Sequence, residues 1–231
     1  KGTGANYHHQ ERHERTELMA SERVEVEVGE TLKMASTHIK GGQGVIIDAG
    51  VLEQQDESNI TIDHRETHTK KKKTFGSKKT STITHNEVHQ VVRTLLEGGE
   101  GGVEIHVEKA GILQAPIVSG VKGLKLIEKN PQARFVILTS QDIDQKSQNQ
   151  TKKGKLWQSS KREGHVHTHV FMLESEGGLK GDFSHLTIQI PQKDKSLEAT
   201  LKLLASDPKT AWVNNLRQEK TVDWEMVEEI H

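Results

Sequence analysis

One unit of about 80 residues occurs about two and a half times in this chain, and that repetition constrains the fold more than any other feature. Val24, Val26 and Val28 correspond to Val103, Ile105 and Val107 at a spacing of 79. Ala35, Ile39, Gly41, Gly44, Val45 and Ile47 correspond to Ala115, Val118, Gly120, Gly123, Leu124 and Leu126, at 80 for the first pair and 79 for the others. Thr69-Lys-Lys-Lys-Lys-Thr-Phe-Gly-Ser-Lys-Lys79 matches Thr151-Lys-Lys-Gly-Lys-Leu-Trp-Gln-Ser-Ser-Lys161, with Phe75 and Trp157 separated by 82. His85 and His167, and Val88 and Val170, keep that offset, and Gly98-Gly99 returns as Gly177-Gly178.

Within a unit the apolar residues alternate, as in Val24-x-Val26-x-Val28, Ile60-x-Ile62, Leu124-x-Leu126 and Leu186-x-Ile188-x-Ile190. Period two puts one apolar set on one face of a strand. Glycine pairs such as Gly41-Gly42 and Gly101-Gly102 punctuate the runs and mark tight corners. Short one-faced strands cannot each build a core, but stacked at about 4.8 Å they bury a continuous narrow one. Leu, Ile, Val and Phe make up 55 of the 231 residues. That share lies above the roughly 20% that marks disorder, and the net charge is only −1. The expected fold is all-β, a parallel β-helix with coils of roughly 20 residues.

Two Lys-, Ser-, Thr- and His-rich stretches near 69–86 and 145–169 interrupt the pattern and are expected to leave the stack as long hairpins. The repeats span 1–192, and 193–231 is expected to form a short helical C-terminal cap or linker. There Ser196 can cap a helix carrying Leu197, Leu201 and Leu204, with Leu203 adjacent. A turn follows at Trp212, Val213 and Leu216, then a final helix over Asp223–Ile230. Such a cap would cover exposed strand edges.

Balanced charge, 32 basic against 33 acidic residues, argues against nucleic acid as a partner through overall charge. With no cysteine, the chain can form no disulfide, cysteine-ligated zinc site or thiol nucleophile. No run approaches the ~20 apolar residues of a membrane helix. The chain starts at Lys1 without a signal peptide or initiating Met, and is expected to be a piece of something longer.

The Gly-Gly-x-Gly-Val-x-Ile coils, the Thr69–Lys79 segment and Gly98-Gly-Glu-Gly-Gly-Val-Glu-Ile-His106 resemble the haemagglutinin repeats of two-partner-secreted exoproteins. That group includes the filamentous haemagglutinins and contact-dependent growth inhibition proteins. Ala211-Trp-Val-Asn-Asn-Leu216 and Val222-Asp-Trp224 look like the region before their pre-toxin part. The resemblance implies a right-handed β-helical segment, secreted to the bacterial cell surface by an outer-membrane transporter. Implied partners are a neighbouring cell's surface or outer membrane and a C-terminal toxin domain of the same polypeptide. It implies a structural and delivery role, no cofactor and no catalytic residue.

Three site hypotheses arise from the residues. Lys70, Lys71, Lys72, Lys73, Lys78 and Lys79 form a candidate contact for an anionic polymer or lipid, against the plainer reading of a solvated run that blunts a strand edge. Phe75 and Trp157 are expected to anchor the packing of the excursions. His165, His167 and His169 share one strand face, but neighbours about 6.6–7 Å apart are too distant for one zinc unless the strand bends, so no metal site is assigned. An adhesin that uses the excursions is the main alternative function, with a β-helical polysaccharide lyase or hydrolase behind it. Such an enzyme needs Asp, Arg and Lys on consecutive coils, and no such column is present.

Overall fold

The computed structural model describes residues 2–74, 76–189 and 219–230, the last segment as a backbone strand, and every regular element among them is β. Two parallel sheets are built from five successive levels of chain. Thr16–Ala20 (β2) and Arg23–Ala35 (β3) form the first level, and Thr37–Gly41 (β4) and Gly44–Gln55 (β5) the second. Leu95–Glu97 (β8) and Val103–Gln114 (β9) form the third. Ile117–Ser119 (β10), Leu124–Glu128 (β11) and Arg134–Leu138 (β12) form the fourth. Glu174–Ser175 (β15), Leu179–Asp182 (β16) and Leu186–Gln189 (β17) form the fifth.

The alternation read from sequence becomes columns. Val24 pairs with Val45, Val45 with Val103, Val103 with Leu124, and Leu124 with Leu179. All five side chains are buried in one continuous core. Beside them run Ile47, Ile105 and Leu126, and in the smaller sheet Ile39, Leu96 and Val118. Burying apolar area at about 25 cal/mol per Å² holds such a stack together through mainly aliphatic side chains, with Phe135 and Phe183 among them. The step from one level to the next is 21 positions for Val24 to Val45 and for Val103 to Leu124. From Val45 to Val103 it is 58, the excess of 37 being chain that leaves and returns. The 79-residue sequence unit is therefore two levels plus one excursion, and Val24 and Val103 lie two levels apart.

Corners recur too. Ser36 and Ala115, 79 apart, both hold positive φ, 47° and 42°. A left-handed residue at that place turns the chain from the larger sheet to the smaller one in each unit. In another column Leu52, Gly111 and Phe135 are successive partners, and a Cβ on Gly111 would come within 2.6 Å of the Phe135 ring. Here the glycine makes room for one of the two buried phenylalanines of the spine.

The excursions build a third, antiparallel sheet. Glu57–Lys73 (β6) and Gly76–Val92 (β7) form one hairpin, Ser140–Lys153 (β13) and Gln158–Phe171 (β14) the other. The hairpins pair with each other through β7 and β13. Gly2–Glu11 (β1) lines β6, and Glu219–Ile230 (β18) lines β14, giving the order β1-β6-β7-β13-β14-β18.

Two expectations need correction. The excursions run over 57–92 and 140–171, longer than 69–86 and 145–169, because hairpin roots such as Ile60-x-Ile62 carry the same alternation as the spine. The expected final helix over Asp223–Ile230 is strand β18. Val222, Trp224 and Met226 alternate as well as they repeat helically, and β14 offers an unpaired edge whose backbone groups need partners. The helix expected around Ser196–Leu204 and the turn expected at Trp212–Leu216 lie outside the described residues.

Candidate functional site

The distal end of the lateral sheet gathers the lysines singled out in the sequence. Register places Lys70, Lys79 and Lys153 in one row across β6, β7 and β13, side chains on one face. Lys71 faces Lys78 in the adjoining row, on the opposite face. Like charges directly opposed repel, and no acidic residue occurs in 67–86 or 145–162 to relieve them. An anion supplied from outside would. A cleft of about 310 Å³ opens on the Lys70 face, bordered by Thr3, His68, Lys70, Lys79, Thr151 and Lys153. Lys72 is exposed beside Ser77, while only the backbone position of Lys73, opposite Gly76, is described.

The turn between β13 and β14 adds what the sequence reading passed over. Lys152, Lys153 and Lys155 extend the basic patch, and Leu156 is 93% exposed. Trp157 is 50% exposed; its carbonyl accepts from Gly154 N–H at 2.8 Å, and the Lys78 ammonium lies 5.8 Å from its ring centroid. Trp157 thus sits at the tip, folded over its own turn. Phe75 lies outside the described residues. The signal for the extra lysines was already present in the match of Thr151–Lys161 to Thr69–Lys79.

Below the tip, one face of the β6–β7 hairpin carries a ladder of histidines and glutamates. His64 and His85 are cross-strand partners with ring centroids 5.7 Å apart. Glu66 lies 3.3 Å from His64 and 3.8 Å from His68. Glu87 lies 3.2 Å from His85 and 2.5 Å from His89. Hydrogen bonds from His89 and then His85 hold the Glu87 carboxyl below its ordinary value. On the far hairpin His165 and His167 bring their rings within 4.5 Å, closer than their backbone spacing, while His169 stacks on Phe171. Among the described residues, no three His, Asp or Glu side chains are grouped to hold a metal ion.

A buried polar belt fixes the hairpins to the stack. Arg93 is 7% exposed; its Nε donates to Ala115 O at 2.9 Å, its Nη2 to Met172 O at 2.6 Å, and its Nη1 pairs with Glu174 at 2.9 Å. Phe171 covers the guanidinium at 4.8 Å. Gln54 donates to Asp56 Oδ1 and Thr94 Oγ1, and Thr94 N–H donates to the same Asp56 oxygen at 3.1 Å. Asp56 Oδ2 is sealed without a hydrogen-bond partner. Burial pushes the Asp56 carboxyl from 3.8 up to about 7, against the lowering pull of the Thr94 amide and the Arg93 charge. Neither Asp56 nor Arg93 could be singled out from sequence, since apart from Gln54 beside Asp56 their partners lie 22 to 81 positions away.

The patch, the ladder and the belt do different jobs: the belt anchors, the ladder pairs charges along an extended strand, and the tip presents cations to solvent. No family model, curated protein or solved structure matches this chain.

Proposed function

We propose that this chain is a segment of a right-handed parallel β-helix, a rigid stalk in a large secreted exoprotein of the bacterial cell surface. It supports presentation of a C-terminal toxin, or its transfer to a neighbouring cell, after export by an outer-membrane two-partner-secretion transporter. The role is mechanical rather than enzymatic and requires no cofactor. The observation that carries this reading is the in-register column Val24, Val45, Val103, Leu124, Leu179, with a constant 21-residue step wherever no hairpin intervenes. A chain organised this way spends its aliphatic residues on a spine that can be lengthened by copying units.

Removing Val24–Gly102 from the exoprotein tests it, because Arg23 then leads into Val103, the residue equivalent to Val24. The shortened protein should fold, be exported and still deliver, with a spine shorter by two levels, about 10 Å. A point substitution in a polar surface residue that abolished delivery while the stack stayed intact would point to catalysis instead.

A second reading, adhesion to an anionic surface, is favoured by the row of Lys70, Lys79 and Lys153. The two are compatible: the spine sets the reach and the lateral sheet makes the contact.

A further inference from the structure

We propose that the distal tip of the lateral sheet docks on an anionic lipid bilayer, with Leu156 and Trp157 entering the interface inside a collar of lysines. The proposal rests on reading the sheet as a displayed fin. Three observations carry it.

The first is the pairing of exposed apolar side chains with cations. Leu156 is almost fully exposed at 93%, whereas the other leucines among the described residues mostly lie in the spine. It occupies a turn with Trp157, whose indole has one apolar and one polar side, the amphipathic shape that favours a membrane–water boundary. Lys152, Lys153 and Lys155 flank the pair in sequence, and Lys78 lies above the Trp157 ring. Apolar contact and cations together are what interfacial binding to anionic lipid needs, since a single weak anchor gives only marginal attachment.

The second is the arrangement of the charge. Lys70, Lys79 and Lys153 lie on one face of the sheet, Lys71, Lys78 and Lys152 on the other. A linear polyanion lying along the sheet would use one face. Lysines on both faces of an end, with the apolar turn between them, suit an end-on approach to a flat negative surface.

The third is reach. β6 and β7 are 17 residues each and β13 is 14. At about 3.4 Å per residue the tip extends roughly 50 Å along the sheet from its roots, so it can meet a membrane before the spine does. By register the acidic positions Glu66 of β6 and Glu228 of β18 lie four rows behind Lys70, Lys79 and Lys153, and Glu229 three rows behind.

The test uses the chain with Trp212→Phe and Trp224→Phe, so that Trp157 is the one remaining indole. It is mixed with phosphatidylcholine vesicles, with and without phosphatidylglycerol, and separately with heparin. Co-sedimentation should require phosphatidylglycerol and weaken as salt rises. Trp157 emission should shift to the blue on binding and be quenched by lipid brominated in the acyl chain. Leu156→Ser with Trp157→Ser, made in the natural background, should weaken vesicle binding about tenfold. Leu156→Ser alone, at a side chain with almost no packing to lose, should weaken it less but measurably. Lys70→Glu, Lys79→Glu and Lys153→Glu together should abolish it. Unchanged vesicle binding in the Leu156 variants, or binding without a shift of Trp157 emission, overturns the proposal. So does heparin binding in the absence of vesicle binding, which would assign the tip to a sulfated polymer. The failure of the fin reading looks different: loss of the β-sheet circular dichroism signal in the unmodified chain.

Discussion

Asp56 sits where the first hairpin leaves the spine, and its ionisation works against the fold. Its carboxyl titrates near 7 in the folded chain against 3.8 ordinarily. The folded state therefore binds this proton more readily than the unfolded state. The resulting stabilisation is fully present below about pH 4 and is lost as pH rises through 7. The rise from 3.8 to about 7 corresponds to roughly 4 kcal/mol as an upper bound. Asp56→Asn keeps an oxygen for the Thr94 amide and removes the charge. Urea denaturation at pH 5.5 and pH 8 should show the parent losing up to about 2 kcal/mol across the window, and the variant losing clearly less. The window stays above the titration of Glu87, whose depressed pKa gives the opposite slope at lower pH. Equal losses in parent and variant would remove Asp56 as the cause. Arg93, a residue of the same corner, is buried yet satisfied by two carbonyls and a carboxylate, which is how a buried charge is tolerated.

Strands of two kinds divide the molecule, and they differ in how far the sequence betrays them. The spine strands have one buried face, so Val24-x-Val26 and Val103-x-Ile105 show through as alternation. The hairpin strands are half-exposed on both faces, as in the run of intermediate burial along β7. Polar residues dominate both faces, no alternation survives, and only composition marks the segment. The roots are an exception that misleads: Ile60 and Ile62 look like spine. β18 was missed because its apolar spacing fits both periods, and the edge of β14 decides between them. The two kinds should also separate in experiment. Deleting Ser140–Phe171 joins Thr139 to Met172 and removes β13 and β14. Hydrogen exchange should then remain slow in β9 and β11, while β7 loses the protection its pairing with β13 provides. Loss of protection throughout β9 and β11 would mean that the spine depends on the hairpin.

At the scale of the whole molecule, each level contacts mainly its neighbours, so stability should be distributed along the stack. Leu18 and Met19 of the first level are 46% and 52% exposed, whereas Ile39, Leu96 and Val118 above Leu18 are buried. Amide exchange should be fastest in β2 and β3 and slowest in β5, β9 and β11, where Val45, Ile47, Ile105, Leu124 and Leu126 are fully enclosed. A single uniform rate across the five levels would show one cooperative unit instead. The repeat made the spine legible from sequence, and the match of Lys-rich segments located the tip. The joining of two hairpins into one sheet was not legible, since nothing local in β7 or β13 names its partner.

The first excursion leaves after Gln55 and the chain is back in the spine at Leu95, between its partners His38 and Ile117 in the smaller sheet. Departure and return at one corner make the detour invisible to the column. Height can then change only by whole levels, 21 residues in the columns of Val24 and Val103, whereas breadth can change two residues at a time, one in each arm of a hairpin. Vertical and sideways dimensions are thus written in separate stretches of chain, and either can drift without forcing the other to follow.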